Sequence, residues 1–165
     1  MKRHSAYRAL RRLRHSAAGN TMLEAALITP LLLLLTLSII DFGALFYVYL
    51  SLENGASLAT RYGITGLLKD DPANPGTPLD RQNSMMLAMR QNTPTLTIPD
   101  SAFAFSNMPA GTTTFVPGSG GPGSVEKLTI TYTWKFFNPV FYSFFTNGEV
   151  VLKVDSTMKN EAKFQ

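Results

Sequence analysis

One stretch decides how this chain is read: Gly19-Asn20-Thr21-Met22-Leu23-Glu24-Ala25-Ala26-Leu27-Ile28-Thr29-Pro30, with the apolar run that follows it to Tyr49. Residues 25–40 carry no charge, and Glu24 and Asp41 bound them. As a helix, Ala25 to Tyr49 would be about 37 Å long, enough to cross a bilayer core with some tilt. Upstream, Lys2, Arg3, Arg8, Arg11, Arg12 and Arg14 supply six basic side chains and no acid precedes Glu24. Downstream, residues 51–165 balance nine basic against nine acidic side chains. The formal net charge of +4 therefore belongs to the leader. This asymmetry places the N-terminus in the cytoplasm and the remainder across the membrane. It leaves the outer part no basic excess for nucleic acid, which is not an expected partner.

Basic leader, small polar joint, acid and apolar run admit three targeting readings. A secretory signal has a shorter apolar core and a small-residue cleavage site after it. A mitochondrial presequence is Arg-rich and acid-free, as is Arg8-Ala9-Leu10-Arg11-Arg12-Leu13-Arg14, but it gives Glu24 no purpose. A prepilin-type leader, residues 1–19, accounts for more of the residues. A peptidase at the cytoplasmic face needs its target before the apolar helix, and Gly19 lets the backbone enter a narrow active site. Cutting there frees an amine on Asn20, and Glu24 lies one helical turn further on. An acid beside an apolar helix is costly unless paired. Glu24 has three possible roles: pairing with its own Asn20 amine, pairing with a neighbouring subunit's, or resting at the interface as a helix N-terminal acid.

The sequence resembles the TadE-like proteins, minor pilin-like components of the bacterial Tad (tight adherence, type IVc, Flp) pilus machinery. The resemblance is carried by Gly19-Asn20-Thr21-Met22-Leu23-Glu24-Ala25-Ala26-Leu27, Pro30-Leu31-Leu32 and Ile39-Ile40-Asp41-Phe42-Gly43. It continues in Ala56-Ser57-Leu58-Ala59-Thr60-Arg61-Tyr62-Gly63 and, near the other end, Ser156-Thr157-Met158-Lys159-Asn160-Glu161. It implies an adhesive pilus as the setting and a prepilin peptidase, an aspartic membrane protease, as the processing partner. It also implies other pilin-like subunits and inner-membrane pilus assembly proteins as partners. Residues 67–124 carry little of it.

The expected fold is α+β and pilin-like. A transmembrane and extended N-terminal helix, 20–68, leads into an extracytoplasmic domain, 69–165, with a short helix and an antiparallel sheet. Pro30 is expected to kink or loosen the helix near its start. Asp41 is an intramembrane acid by position, but 18 residues from Leu23 to Ile40 precede it, and Tyr47 and Tyr49 follow as interfacial anchors. It is therefore placed at the outer interface. Gly55, Ala59 and Gly63 form a small-residue ridge, used either against the protein's own sheet or against another pilin-like helix.

Beyond the helix, Lys69 to Pro78 reads as a Pro-rich loop, with Thr77 capping a helix that runs to about Asn92. Asp70, Asp71 and Asn74 lack the spacing of a calcium loop. Thr95 to Ile98, Ala102 to Asn107, Leu128 to Phe136 and Val150 to Met158 read as strands. Pro117 to Ser124 is a flexible connection, and Asn147-Gly148 a turn. Six of the ten residues in Phe136-Phe137-Asn138-Pro139-Val140-Phe141-Tyr142-Ser143-Phe144-Phe145 are aromatic, serving as core filling or as a surface for subunits or the outer leaflet.

The 165 residues include no Cys, which removes thiolate chemistry and disulfides. His4 and His15, the two histidines, both lie in the leader. A chain cut at Gly19 would keep neither, so imidazole-based catalysis and zinc binding are not expected. No enzyme activity, cofactor or metal is expected. The leading expectation is a minor pilin-like (pseudopilin) subunit in the bacterial inner membrane, single-pass, with its outer domain periplasmic, membrane lipid around its helix, and a possible place in the surface pilus. The alternative is an uncleaved single-pass assembly factor whose basic leader holds lipid headgroups. A secreted soluble protein, cut after the apolar run, is the third.

Overall fold

The computed structural model describes the backbone of residues 3–164 and the side chains of residues 20–164. The fold is α+β, with a long apolar N-terminal helix followed by a small domain containing a short helix and antiparallel sheets. Contacts divide the chain into two compact units, Met1–Phe42 and Gly43–Gln165.

In the first unit the described structure is helix alone, the opening part of α1 (Arg3–Gly63). The large apolar side chains from Met22 to Ile40 are nearly all exposed, Leu27 at 71% and Leu31 at 67%. The helix is long and apolar enough to cross a membrane, and it fits a single-pass membrane protein. Its hydroxyls do not spoil the apolar surface. Thr36 Oγ1 donates to Leu32 O at 2.8 Å and Ser38 Oγ to Leu34 O at 2.7 Å. Helical structure continues through Pro30.

The second unit begins with the rest of α1, where Val48, Leu52, Ala56 and Ala59 turn inward. It then passes through β1 (Asp70–Asp71), β2 (Asn74–Pro78), α2 (Arg81–Asn92), β3 (Phe103–Met108), β4 (Val116–Pro117), β5 (Val125–Lys135) and β6 (Glu149–Lys159). The main sheet is antiparallel in the order β4-β3-β5-β6. Its longest pairing runs from Val125 opposite Lys159 to Lys135 opposite Glu149. Period-two alternation puts Leu128, Ile130, Leu152 and Val154 in one core with the helix residues, Met85, Met89 and Ile98. Thr131, Thr133, Lys153 and Asp155 face outward. On that outer face Thr129 Oγ1 and then Lys127 hold the Asp155 carboxyl below its ordinary range.

Four local expectations are corrected. The helix ends at Gly63 and not near Leu68, because the chain turns over residues 64–66 and Gly66 adopts a left-handed φ of 74°. Residues 69–78 are not a plain loop. Asp70 pairs with Pro78, Leu79 N donates to Lys69 O at 2.8 Å, and Asp71 Oδ1 accepts from Ala73 N at 2.9 Å to close the turn. Pro78 is thereby used in a strand, so the cap moves from Thr77 to Asp80, whose carboxylate accepts from Asn83 N at 2.7 Å. Thr95 to Ile98 is not a strand. Leu96 N turns back to Thr93 O, and the Ile98 carbonyl accepts from Arg90 Nη2 at 2.9 Å.

Candidate functional site

The joint comes first. Gly19 lies within α1, and the side chains of the leader before Asn20 fall outside the described residues. At the edge of the described part, Asn20 Nδ2 donates to Glu24 Oε1 at 3.3 Å, with both residues exposed. The i, i+4 spacing therefore holds the carboxylate within reach of residue 20. In the intact chain the side-chain amide takes that carboxylate, and a new amine on residue 20 would arise one helical turn from it.

Pro30 sits on the exposed apolar part of the helix. Asp41, expected at the outer interface, has only 1% of its surface exposed. Its burial sets it apart from Phe46 and Tyr47, exposed at 60% and 55%.

The ridge of Gly55, Ala59 and Gly63 is buried, and its glycines pack on α2 where the sheet was the expected neighbour. A Cβ on Gly55 would stand 2.7 Å from Thr93 Cγ2 and 3.1 Å from Met89 Cγ. One on Gly63 would stand 2.4 Å from Met85 Sδ. Small residues are required because α1 and α2 approach closely there. Gly55→Leu is expected to destabilise the domain by about 1–3 kcal/mol through overpacking. Urea unfolding followed by the fluorescence of Trp134 measures it, and an unchanged midpoint would show that α2 yields freely.

A polar cluster beside Gly63 had no place in the sequence expectations. Arg81 opens α2 and pairs with Glu126, which is fully buried on the inner face of β5. Arg81 Nε also donates to Gly63 O at 3.0 Å, Nη1 to Gly120 O, and Nη2 to Asn160 Oδ1 at 3.0 Å. Asn160 Nδ2 donates to Gly121 O and to Ser124 Oγ, both at 3.0 Å. The Phe164 ring covers the guanidinium, 4.6 Å from its centroid. Burial lowers the Arg81 pKa. Four polar partners distant from Arg81 in the chain meet on its side chain, and the fork of five donors is what allows it. Two of its members stand out in the sequence singly, though not as a cluster. Glu126 shares the inward parity of Leu128 and Ile130, and Asn160 lies in the terminal Ser156–Glu161 motif. The Pro117 to Ser124 connection is tied down by the same bonds, with Gly118 N on Phe105 O at 2.9 Å.

A cleft of about 420 Å³ lies between residues 97–102 and β5, lined by hydroxyls of Thr97, Ser101, Thr131 and Thr133, without carboxylate or imidazole. Among the described residues no three His, Cys, Asp or Glu side chains gather as a metal site. The aromatic segment 136–145 divides in two. Phe136 is buried, with Phe141 and Phe145 each 4.8 Å from it between ring centroids. Phe137 and Phe144 stand in the open, at 71% and 76%.

A family model described as TadE-like protein matches residues 19–61, from the joint through the apolar helix to the ridge. No significant match was found among curated proteins or among solved structures.

Proposed function

We propose that this chain is a minor pilin-like subunit of a Tad-type pilus assembly system, with a leader removed by a prepilin peptidase at Gly19; the match of residues 19–61 to a TadE-like family model supports the reading. The observation that carries the reading is the Asn20–Glu24 pair at the head of an exposed apolar helix. The mature chain waits in the inner membrane, its outer domain beyond the membrane and its leader side in the cytoplasm. On assembly, Glu24 pairs with an N-terminal amine, and the apolar helix supplies packing area against other pilin-like helices. With the ridge consumed by α2, those contacts fall on the exposed helix surface before it. The rest of the chain offers buried ion pairing, a packed sheet and a cleft of hydroxyls.

The deciding experiment is intact mass and terminal sequencing of the protein from its native membrane. A start at Asn20 supports the reading. A start at Met1 makes the chain a permanent anchor of the same system, with Glu24 an interfacial helix acid. A start beyond Tyr49 means ordinary secretion and ends the pilus reading. The role of Glu24 has its own test. Glu24→Leu should leave leader removal intact and lower pilus incorporation by about tenfold, the equivalent of one charge-assisted hydrogen bond. Normal incorporation, read by immunoblot of sheared pili, would discard the amine pairing.

A further inference from the structure

We propose that the loop between β5 and β6 is a membrane foot, seated in the headgroup region of the outer leaflet beside the point where the helix leaves the bilayer. The proposal rests on the single-pass membrane reading above. Two contacts fix which end of the domain the loop occupies. At one end, Glu161 N donates to Ile64 O at 3.0 Å, and Arg81 joins Gly63 to Glu126 and Asn160. The start of β5 and the end of β6 therefore lie at the far end of α1. At the other, Tyr47 Oη meets Thr95 Oγ1 at 3.1 Å, and residues 97–102 share a cleft with Thr131, Tyr132 and Thr133. The closing half of β5 therefore lies beside Tyr47. From that shared start, β5 covers about 33 Å as a strand and the helix from Gly63 back to Gly43 about 30 Å. The loop thus returns to the level of Gly43, close beyond the uncharged run 25–40 that the bilayer crossing needs.

The chemistry of the loop fits that level. Residues 136–148 carry no charge. Phe144, Phe137, Tyr142 and Val140 are exposed at 76%, 71%, 46% and 40%. Such a cluster in water is unfavourable, while amphipathic and aromatic rings favour the headgroup zone. Lys135 closes the strand above them with its ammonium 6.0 Å from the Tyr142 ring centroid, a position from which it reaches lipid phosphate. At the same level the helix exposes Phe46, Tyr47 and Leu50. Helix and loop together contribute to one aromatic collar. Phe136, Phe141 and Phe145 form the rigid base on which the loop stands. Asn138 caps the short turn 139–143 by accepting from Val140 N at 3.1 Å.

The chain has no cysteine, so single nitroxide labels can be placed on the full-length protein in phosphatidylethanolamine/phosphatidylglycerol vesicles. Phe144→Cys reports the foot, Thr157→Cys the far end of the sheet and Leu33→Cys the middle of the apolar helix. All three positions are exposed, so labelling leaves the core intact. Collision rates with oxygen, enriched in lipid, and with a water-soluble nickel chelate are read by power saturation. The Phe144→Cys label is expected to show an oxygen-to-nickel ratio at least about threefold above Thr157→Cys and below Leu33→Cys. Equal ratios at Phe144→Cys and Thr157→Cys would overturn the foot. So would loss of nickel contact without oxygen gain, which would mark a protein neighbour, and so would shielding that appears only at high protein-to-lipid ratio, which would mark a second copy. A water-like ratio at Leu33→Cys would instead defeat the single-pass reading, and the foot with it.

Discussion

Gly19→Leu is expected to leave the entire population with its leader attached. The proposed peptidase must bring the backbone at the joint against its catalytic carboxylates, and glycine alone lets that backbone pass without a Cβ and with free choice of dihedrals. A branched side chain at the cut obstructs the approach itself, so the effect is on cleavage and not on membrane insertion. The apolar run from Ala25 onward and the basic residues before the joint are untouched, so the protein should accumulate in the membrane at its full mass. Intact mass spectrometry of the purified protein reads the result directly. A mature mass equal to that of the natural chain would remove Gly19 as the cut site and with it the assigned role of Asn20.

Arg81→Met is expected to cost about 3–5 kcal/mol, because it strands a fully buried carboxylate. A domain of this size is held by about 5–15 kcal/mol, so the loss approaches the whole of it. The variant also removes one of the two bonds to the Gly63 carbonyl at the end of α1 and the bond to the side-chain oxygen of Asn160. Glu126→Leu in the same chain should recover much of the loss by removing the stranded charge, but not all, since the Arg81 bonds to Gly63 O and Asn160 Oδ1 stay lost. Urea denaturation of the single and double variants tests the pair. If Arg81→Met unfolds at the natural midpoint, the ion pair contributes nothing. If the double variant is no better than the single, the damage lies in the lost carbonyl bonds and not in the stranded charge.

Strong, local and repeated signals were legible in the sequence. Sixteen uncharged residues, 25–40, admit little but a buried or membrane helix, and the alternation from Leu128 to Phe136 and from Val150 to Met158 fixes which faces go inward. The approach of Glu24 to residue 20 was legible because the two lie one helical turn apart. The features that escaped depend on distant partners. Residues 69–78 form a hairpin because Pro78 finds Asp70, and Thr95–Ile98 is drawn out of a sheet by Arg90. The Arg81 cluster joins residues 63, 81, 120, 126 and 160, and no local pattern announces such a meeting. The small-residue ridge was read as a close-packing surface, but its neighbour, α2, could only be found in the fold. The division of the aromatic run was equally hidden, since Phe136 and Phe137 are adjacent in the chain and opposite in environment.

The bonds at the end of β6 carry a consequence for the order in which the domain can close. Ile64 receives the amide of Glu161, Gly123 donates to the Glu161 carbonyl, and Phe164 fills the space left open at Gly66 and covers Arg81. A segment near residue 64 is thus completed by one near residue 161, almost a hundred positions later. If the chain is threaded outward behind its helix as proposed, the domain cannot close until residues 160–164 have crossed. Until then Arg81 and Glu126 lack their cover, and β5 lacks the partner strand that protects its edge. On that topology the folded domain would record completed translocation. A chain stalled before those residues would present an open sheet edge to proteases and chaperones outside the membrane, whereas a finished one would present a closed surface ready for assembly.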